Sequence, residues 1–196
     1  LFESIDIKKF AYLEALLFKR SAPSGHGIEE DILKTELNRN EQRVINNDTL
    51  RTRTRESILV NDFKKYLQLI LTYYCTSKDI IYKQGLNEIF GPLLLLKYKF
   101  PNLKLNNIFD LGEVFIDQFL PNYFYEKELY SLKSALGLFL ILLRYHEPSV
   151  FNRLDTCEIV PEMYATNCFV TLLSSKLKLT ILYDFWEEII KNGDSL

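Results

Sequence analysis

Residues 44–52 read Val-Ile-Asn-Asn-Asp-Thr-Leu-Arg-Thr, residues 81–89 read Ile-Tyr-Lys-Gln-Gly-Leu-Asn-Glu-Ile, and these two stretches organise the rest of the chain. Residues 57–75 lie between them and carry apolar side chains at the spacing of an amphipathic helix, namely Leu59, Phe63, Tyr66, Leu67, Ile70 and Tyr74. The sequence therefore predicts that one helix connects two polar motifs.

The same spacing predicts helices along most of the chain. They cover residues 5–20, 28–39, 84–99, 107–119, 126–146, 161–174 and 179–191. Residues 40–55 are polar and rich in arginine without a dominant period, so most of them are predicted as loop, and Pro92 predicts a kink or a break. We expect an all-α fold of eight or nine helices in one continuous domain over residues 1–196.

Composition bounds the class of protein. The chain has 196 residues, of which 47% are hydrophobic, and this is enough for one domain with a sizeable core. The net charge of −2 provides no basic field, so we expect no binding to nucleic acid. Cys75, Cys157 and Cys168 lack the spacing of a disulfide framework or a zinc site, which favours free thiols in a reducing compartment.

Targeting signals are absent from the sequence as given. It begins at Leu1 without a signal-peptide pattern, and its longest apolar run, residues 135–143, is too short to span a bilayer. We therefore expect no transmembrane segment and a cytoplasmic fragment of a longer protein. Regions outside the chain could recruit that protein peripherally to endomembranes.

The usual enzymatic constellations are poorly supplied. His26 and His146 are the two histidines, and neither stands at a metal-ligand spacing from other donors, so no metal site is expected. The sequence has no glycine-rich phosphate loop and no Gly-x-Ser-x-Gly element. The chain is thus predicted to have no cofactor of its own.

Arg51 and Gln84 have side chains that suit assisted phosphoryl transfer, which needs positive charge against the phosphates and an oriented water. A carboxamide can accept a hydrogen bond from water and donate one to a phosphate oxygen. Gln84 precedes Gly85, where backbone can approach closely. From the residues alone, a surface ion pair for Arg51 and an ordinary helix start at Gln84 remain alternatives.

The patterns Ile-x-x-Asp-x-x-Arg-Thr (residues 45–52) and Tyr-x-Gln-Gly-Leu-Asn (residues 82–87), in this order, resemble the paired signature of the TBC domain, found in activators of Rab GTPases. Pro161-Glu162-Met163-Tyr164 resembles the Pro-x-x-Tyr helix of that family. Leu177-Lys178-Leu179 with Phe185-Trp186-Glu187 is similar to its Leu-Pro-Leu…Trp-Asp element. The resemblance covers roughly residues 8 to 193.

This resemblance implies a GTPase activator that acts in trans on a Rab GTPase carrying GTP and Mg²⁺, and so regulates vesicle traffic. Arg51 is then an arginine finger and Gln84 a glutamine finger that orients the attacking water. Asp48 would hold the arginine, and Tyr82 would shape the glutamine loop. The other supporting or GTPase-binding residues implied are Ile45, Thr52, Gly85 and Asn87.

The sequence departs from the family pattern at three positions. Leu86 replaces a usual Met, Lys178 a usual Pro and Glu187 a usual Asp. The family also has helices beyond the Trp186 helix, so we expect this domain to lack its last C-terminal helices. These features keep open a non-catalytic TBC scaffold that binds a GTPase or another protein.

A third alternative is an unrelated helical interaction domain with coincidental motifs. It predicts that Arg51 and Gln84 lie far apart or are buried. The activator hypothesis predicts that they are neighbouring and face solvent.

Overall fold

The computed structural model describes residues 27–54, 62–100 and 102–192. These residues form ten helices and no strand, so the predicted all-α class is confirmed. The helices are α1 (Ile28–Lys34), α2 (Gln42–Arg51), α3 (Phe63–Ser77), α4 (Leu86–Lys99), α5 (Leu105–Phe119), α6 (Tyr130–His146), α7 (Pro148–Thr156), α8 (Pro161–Tyr164), α9 (Thr166–Val170) and α10 (Leu179–Asn192).

The helix predicted between the two motifs is α3, which starts at Phe63. The helix predicted over residues 5–20 lies outside the described residues, as does the stretch 55–61.

Helix α4 runs to Lys99 with Pro92 inside it, so of the predicted kink or break the break is wrong, and the kink stays a prediction. A proline removes the hydrogen bond to the carbonyl four residues earlier, here that of Glu88. The Ser174 hydroxyl donates to that freed carbonyl, and the Tyr183 hydroxyl donates to Pro92 O at 2.8 Å. Contacts from the C-terminal part of the chain therefore keep α4 continuous.

The prediction of loop over most of residues 40–55 is also wrong, because α2 occupies Gln42–Arg51. Its buried face carries Ile45, Asp48 and Thr49, which have helical spacing but are mostly polar. A search for apolar periodicity misses such a face, since its polar groups are buried through hydrogen bonds rather than by hydrophobic contact. Arg51 is consequently the last residue of a helix and not part of a loop.

The chain between residues 126 and 174 differs in detail from expectation. Helix α6 begins only at Tyr130, after Leu129 in the left-handed region with φ 53°. Residues 148–155, between the predicted helices 126–146 and 161–174, lie in helix α7. The helix predicted over residues 161–174 is divided into α8 and α9 and ends at Val170. Leu172 and Leu173 have φ of 44° and 62°, a conformation that an α-helix cannot contain.

Helix α4 is the centre of the core and packs between α3 and α5. Its leucines Leu93, Leu94 and Leu95 are fully buried, and each contributes about 2 kcal/mol of burial free energy. The Phe90 ring lies 5.2 Å from that of Tyr74, and a side chain at Gly112 would overlap Phe90. The core thus fixes the start of α4, which belongs to the second motif.

Helix α10 closes the core from the C-terminal side. Trp186 is 1% exposed, and its ring centroid lies 4.6 Å from that of Phe115 on α5. In the described ranges, no helix combines the length and the apolar character needed to cross a bilayer.

Candidate functional site

Asp48 connects the two sequence motifs directly. It lies on the buried face of α2, where only 3% of the residue is exposed. Its Oδ2 accepts a hydrogen bond from the Tyr82 hydroxyl at 3.1 Å, and its Oδ1 accepts one from Arg51 Nη2 at 3.0 Å. One carboxylate therefore contacts a residue of each motif.

Asn87 and Thr52 extend this contact into a closed ring. Asn87 Nδ2 donates to Thr52 Oγ1 at 2.8 Å, and Thr52 Oγ1 donates to the carbonyl of Asp48 at 2.8 Å. Asn87 Oδ1 lies 3.2 Å from the Tyr82 hydroxyl and accepts the Gly85 N–H at 3.1 Å. We refer to Asp48, Thr52, Tyr82 and Asn87 as the polar ring.

The Tyr82 hydroxyl has one proton and two acceptors within reach, Asp48 and Asn87. The charged carboxylate is the stronger acceptor, so the proton points to Asp48. Burial raises the pKa of Tyr82 well above its usual value, and the negative charge of Asp48 raises it further. Tyr82 is therefore a permanent donor at physiological pH.

Arg51 stands at the surface above the polar ring. Its side chain is 74% exposed, although the guanidinium contacts Asp48 and its Nε donates to the Asn47 carbonyl at 3.3 Å. The Arg51 end of this pair is open to solvent, and Asp48 also accepts a hydrogen bond from Tyr82, so the guanidinium can be transferred to a stronger anionic partner without leaving the carboxylate unpaired. The hydrogen bond from Nε fixes part of the Arg51 side chain, while the rest of the guanidinium remains accessible to a partner.

Gln84 is also exposed, between the buried residues Tyr82 and Gly85. No described residue hydrogen-bonds to its carboxamide, and the residue is open to solvent two positions after Tyr82 of the polar ring. Gly85 has φ 118°, and a Cβ added there would lie 2.5 Å from Val170 Cγ1. The close approach at Gly85 is thus made by this chain's own α9.

The loop that carries Gln84, residues 78–85, is held from the side of α2 by two charged residues. Arg39 donates to the Ile80 carbonyl at 2.7 Å, and Glu41 Oε1 accepts the Tyr82 N–H at 3.3 Å. Burial of the Glu41 carboxylate opposes ionisation, but hydrogen bonds from Arg39 and Tyr82 outweigh it and hold the pKa of Glu41 below its usual 4.5.

Lys83 holds the same loop from the opposite side. Its ammonium donates to the carbonyls of Tyr123, at 3.3 Å, and of Glu126, both in the connection between α5 and α6. Burial lowers the pKa of Lys83, against the attraction of Glu126. Arg39, Glu41 and Lys83 were not singled out from the sequence, because each one's loop-fixing partners lie about 40 residues away and leave no local pattern.

Six of the eight predicted site residues are buried and support the site from inside. Ile45 is fully buried, and so cannot bind a partner directly. Thr52 and Asn87 belong to the polar ring. Only Arg51 and Gln84 are exposed, and the ring brings their segments together.

An arginine-rich polar stretch such as residues 43–55 is typical of a solvated or partner-facing surface, and Arg53 departs from this. The Arg53 side chain is 7% exposed and turned into the fold, where it lies 3.8 Å from the Glu88 carboxylate. Arg43 is exposed as expected, and Arg55 lies outside the described residues. The sequence could not separate these arginines, since only tertiary contacts distinguish them.

Large apolar side chains are exposed on both motifs. Val44 and Leu50 on α2 are 49% and 50% exposed, and Ile81 is 69% exposed. Exposed apolar groups beside polar tips are typical of surfaces that bind another protein. Over the part of the chain that the structure describes, no group of three or more His, Cys, Asp or Glu could hold a metal ion.

The RabGAP-TBC family, described as the Rab-GTPase-TBC domain, matches residues 17–196 of this sequence. This chain belongs to that family. Coincidental motifs on an unrelated helical domain are thereby excluded, and the resemblance noted from the two motifs is confirmed.

Relatives of this RabGAP-TBC chain include the TBC domain-containing protein kinase-like proteins of Gallus gallus, Mus musculus and Homo sapiens, each 22% identical over 131 residues. That match covers 67% of this chain, which spans only 14% of each relative. The Dictyostelium discoideum protein of the same name is 26% identical over 115 residues, 59% of this chain and 11% of that protein.

Among solved structures, the crystal structure of the Ypt/Rab-GAP domain of Gyp1p is similar to this RabGAP-TBC chain with a TM-score of 0.63 at 16% identity. The match covers 94% of this chain and 61% of the Gyp1p chain. At this identity the likeness shows the fold.

Proposed function

We propose that this domain stimulates GTP hydrolysis by a Rab-family GTPase, with Arg51 and Gln84 entering the partner's active site. The observation that supports this most directly is the polar ring, which ties the segments of two exposed side chains through four buried residues. A surface ion pair would not need such a support. Family membership supports the choice of a Rab GTPase as the partner.

In this mechanism the chemistry takes place on GTP and Mg²⁺ held by the GTPase, and the domain contributes side chains only. The Arg51 guanidinium leaves Asp48 and neutralises charge that develops on the phosphates. The Gln84 carboxamide orients the attacking water and donates a hydrogen bond to a phosphate oxygen. Since this activity is exerted on Rab GTPases, the proposal extends to vesicle traffic and to recruitment at endomembranes.

The polar ring contributes by reducing the conformational freedom of both fingers before the GTPase arrives. Each finger carries a flexible side chain, but the backbone that bears it is fixed by buried hydrogen bonds. Preorganised positioning of this kind accounts for a large part of catalysis where little covalent chemistry is needed.

The test is single-turnover GTP hydrolysis by a panel of Rab proteins with wild-type domain, Arg51→Ala and Gln84→Ala. Acceleration of one or a few Rabs is expected, with a loss of about 10³-fold or more for Arg51→Ala, the range found for arginine fingers. Arg153→Ala is the matched control, because Arg153 is likewise an exposed arginine in the last turn of a helix.

Two outcomes would oppose the proposal. If stimulation survives both substitutions, Arg51 and Gln84 do not act as fingers. If a folded domain stimulates no Rab, the proposed GTPase-activating activity is refuted. In the second case, binding of a GTP-loaded Rab without stimulation identifies the non-catalytic scaffold. The replaced Lys178 and Glu187 lie outside the polar ring, so they do not by themselves favour that alternative.

A further inference from the structure

The segment of residues 170–178, which comprises the last residue of α9 and the connection to α10, contacts the second motif and also Arg53, which directly follows the first motif. We refer to it as the α9–α10 turn. Val170 packs against Gly85, beside Gln84. Ser174 donates to the Glu88 carbonyl in the first turn of α4. Arg53, which follows Arg51 by two residues, reaches the same turn from the other motif.

Arg53 binds the turn through its guanidinium fork. Nη1 donates to the Leu177 carbonyl at 2.9 Å, and Nη2 lies 2.7 Å from the Ser174 carbonyl and 2.6 Å from the Ser174 hydroxyl oxygen. These three acceptors lie in different directions, and a planar guanidinium with five N–H groups can bind them together. The single ammonium of a lysine cannot reach all three at once. Arg53 itself has φ 54°, so the backbone turns sharply directly after α2.

The α9–α10 turn is itself fixed to the core. Its two consecutive left-handed residues, Leu172 and Leu173, need external support because side chains other than glycine rarely adopt this backbone. The Trp186 indole donates to the Leu172 carbonyl at 2.9 Å, and Leu173 N donates to the Cys168 carbonyl at 2.8 Å. These hydrogen bonds fix the α9–α10 turn to the core.

We propose that Arg53 is a positioning residue that sets the place of Arg51 relative to Gln84 by binding the end of α2 to the α9–α10 turn. The inference rests on the proposed GTPase-activating function. Without Arg53, the polar ring still joins the motifs. The end of α2, however, loses its contact with the α9–α10 turn, which also packs against Gly85. A displacement of about 1 Å at such a group reduces a reaction rate by about 100-fold.

The kinetic test compares Arg53→Ala, Arg53→Lys and Arg53→Gly in saturation kinetics with a responsive Rab. The maximal stimulated rate is expected to fall about 10- to 100-fold, with KM for the GTP-loaded Rab changed less than about twofold, since the exposed surface is intact. Lysine keeps the charge but not the fork, and glycine removes the backbone constraint, so neither should restore the rate.

The double variant Arg51→Ala/Arg53→Ala separates positioning from general loss of structure. If Arg53 acts through Arg51, the double variant is no slower than Arg51→Ala alone. Additive losses, a rise in KM at unchanged maximal rate, or full activity of Arg53→Lys would each overturn the proposal. Should Arg53→Ala fail to fold, Arg53→Lys carries the same comparison.

Amide hydrogen exchange distinguishes a failure of this inference from a failure of the proposed function. Arg53→Ala should speed exchange at residues 42–54 and 170–178 together and leave α6 unchanged, whether or not the domain stimulates any Rab. Exchange that is unchanged at residues 170–178 would show that Arg53 does not hold the turn. If exchange at residues 170–178 becomes faster in a domain that stimulates no Rab, the contact of Arg53 with the turn is structural only and Arg53 has no positioning role in catalysis.

Discussion

The segments that carry Arg51 and Gln84 are built in opposite ways. Arg51 ends a regular helix, α2, whose backbone satisfies its own hydrogen bonds. Gln84 lies in an irregular stretch, residues 78–85, whose backbone is held by the side chains of Arg39 and Glu41 and whose own Lys83 side chain binds the connection between α5 and α6. Helix α2 therefore positions Arg51, and tertiary contacts between side chains and the loop backbone position Gln84.

The difference shows where each half of the site is vulnerable. The helical half depends on what fixes its end, namely the polar ring and Arg53. The irregular half depends on several separate anchors, each of which contributes part of its order. Both halves meet at Asp48, which is the point where a single substitution should disturb them together.

Asp48→Ala should have the largest effect on stability. It leaves the buried Tyr82 hydroxyl without its charged acceptor and releases Arg51, so the free energy of unfolding is expected to fall by about 3 kcal/mol. Urea denaturation measures it. Asp48→Asn, which keeps the shape and one acceptor oxygen, should lose about half as much. Equal losses for the two variants would show that the charged carboxylate, rather than the packing of the side chain, carries the whole effect.

Gly85→Ala tests the irregular half. The positive φ and the short distance to Val170 Cγ1 both oppose a side chain there, and we expect a loss of about 2 kcal/mol. Thermal or urea unfolding measures the change. Gly137→Ala is the control, because a Cβ at Gly137 meets nothing within 4 Å and lies in the middle of α6, where alanine should stabilise slightly.

Glu41→Gln perturbs the same loop less. We expect the free energy of unfolding to fall by about 1 kcal/mol at neutral pH, because the hydrogen bonds from Arg39 and Tyr82 are weakened. Because the folded-state pKa of Glu41 is lowered, its stabilising contribution is present above the usual pKa of 4.5 and disappears as pH falls through the folded value. The stability difference between wild type and Glu41→Gln should therefore be constant near neutrality and shrink below about pH 4.5.

Unfolding by urea at several pH values measures that difference. Glu30→Gln is the control, since Glu30 forms an exposed i,i+4 ion pair with Lys34 and should change stability little at neutral pH. A gap between wild type and Glu41→Gln that widens towards acid would contradict the assignment of Glu41 as an ionised anchor of this loop.

Sequence reasoning identified most helices because their buried faces are apolar, as in α3, α4 and α10. It failed at α2, whose buried face includes Gln42, Asp48 and Thr49. It also failed at Leu172 and Leu173, because a left-handed backbone at leucine depends on contacts from distant residues such as Trp186.

The sequence by itself determined the all-α class, the family and the two motifs with Arg51 and Gln84, since these follow from local periodicity and from residue identity at fixed spacing. Only the tertiary structure decided that the motifs meet through the polar ring and that Arg53 turns inward while Arg51 stays exposed. It alone also decided that the α9–α10 turn contacts both Arg53 and the second motif. The physical reason is that these contacts join residues 34 to 124 positions apart, and no local pattern encodes such a distance.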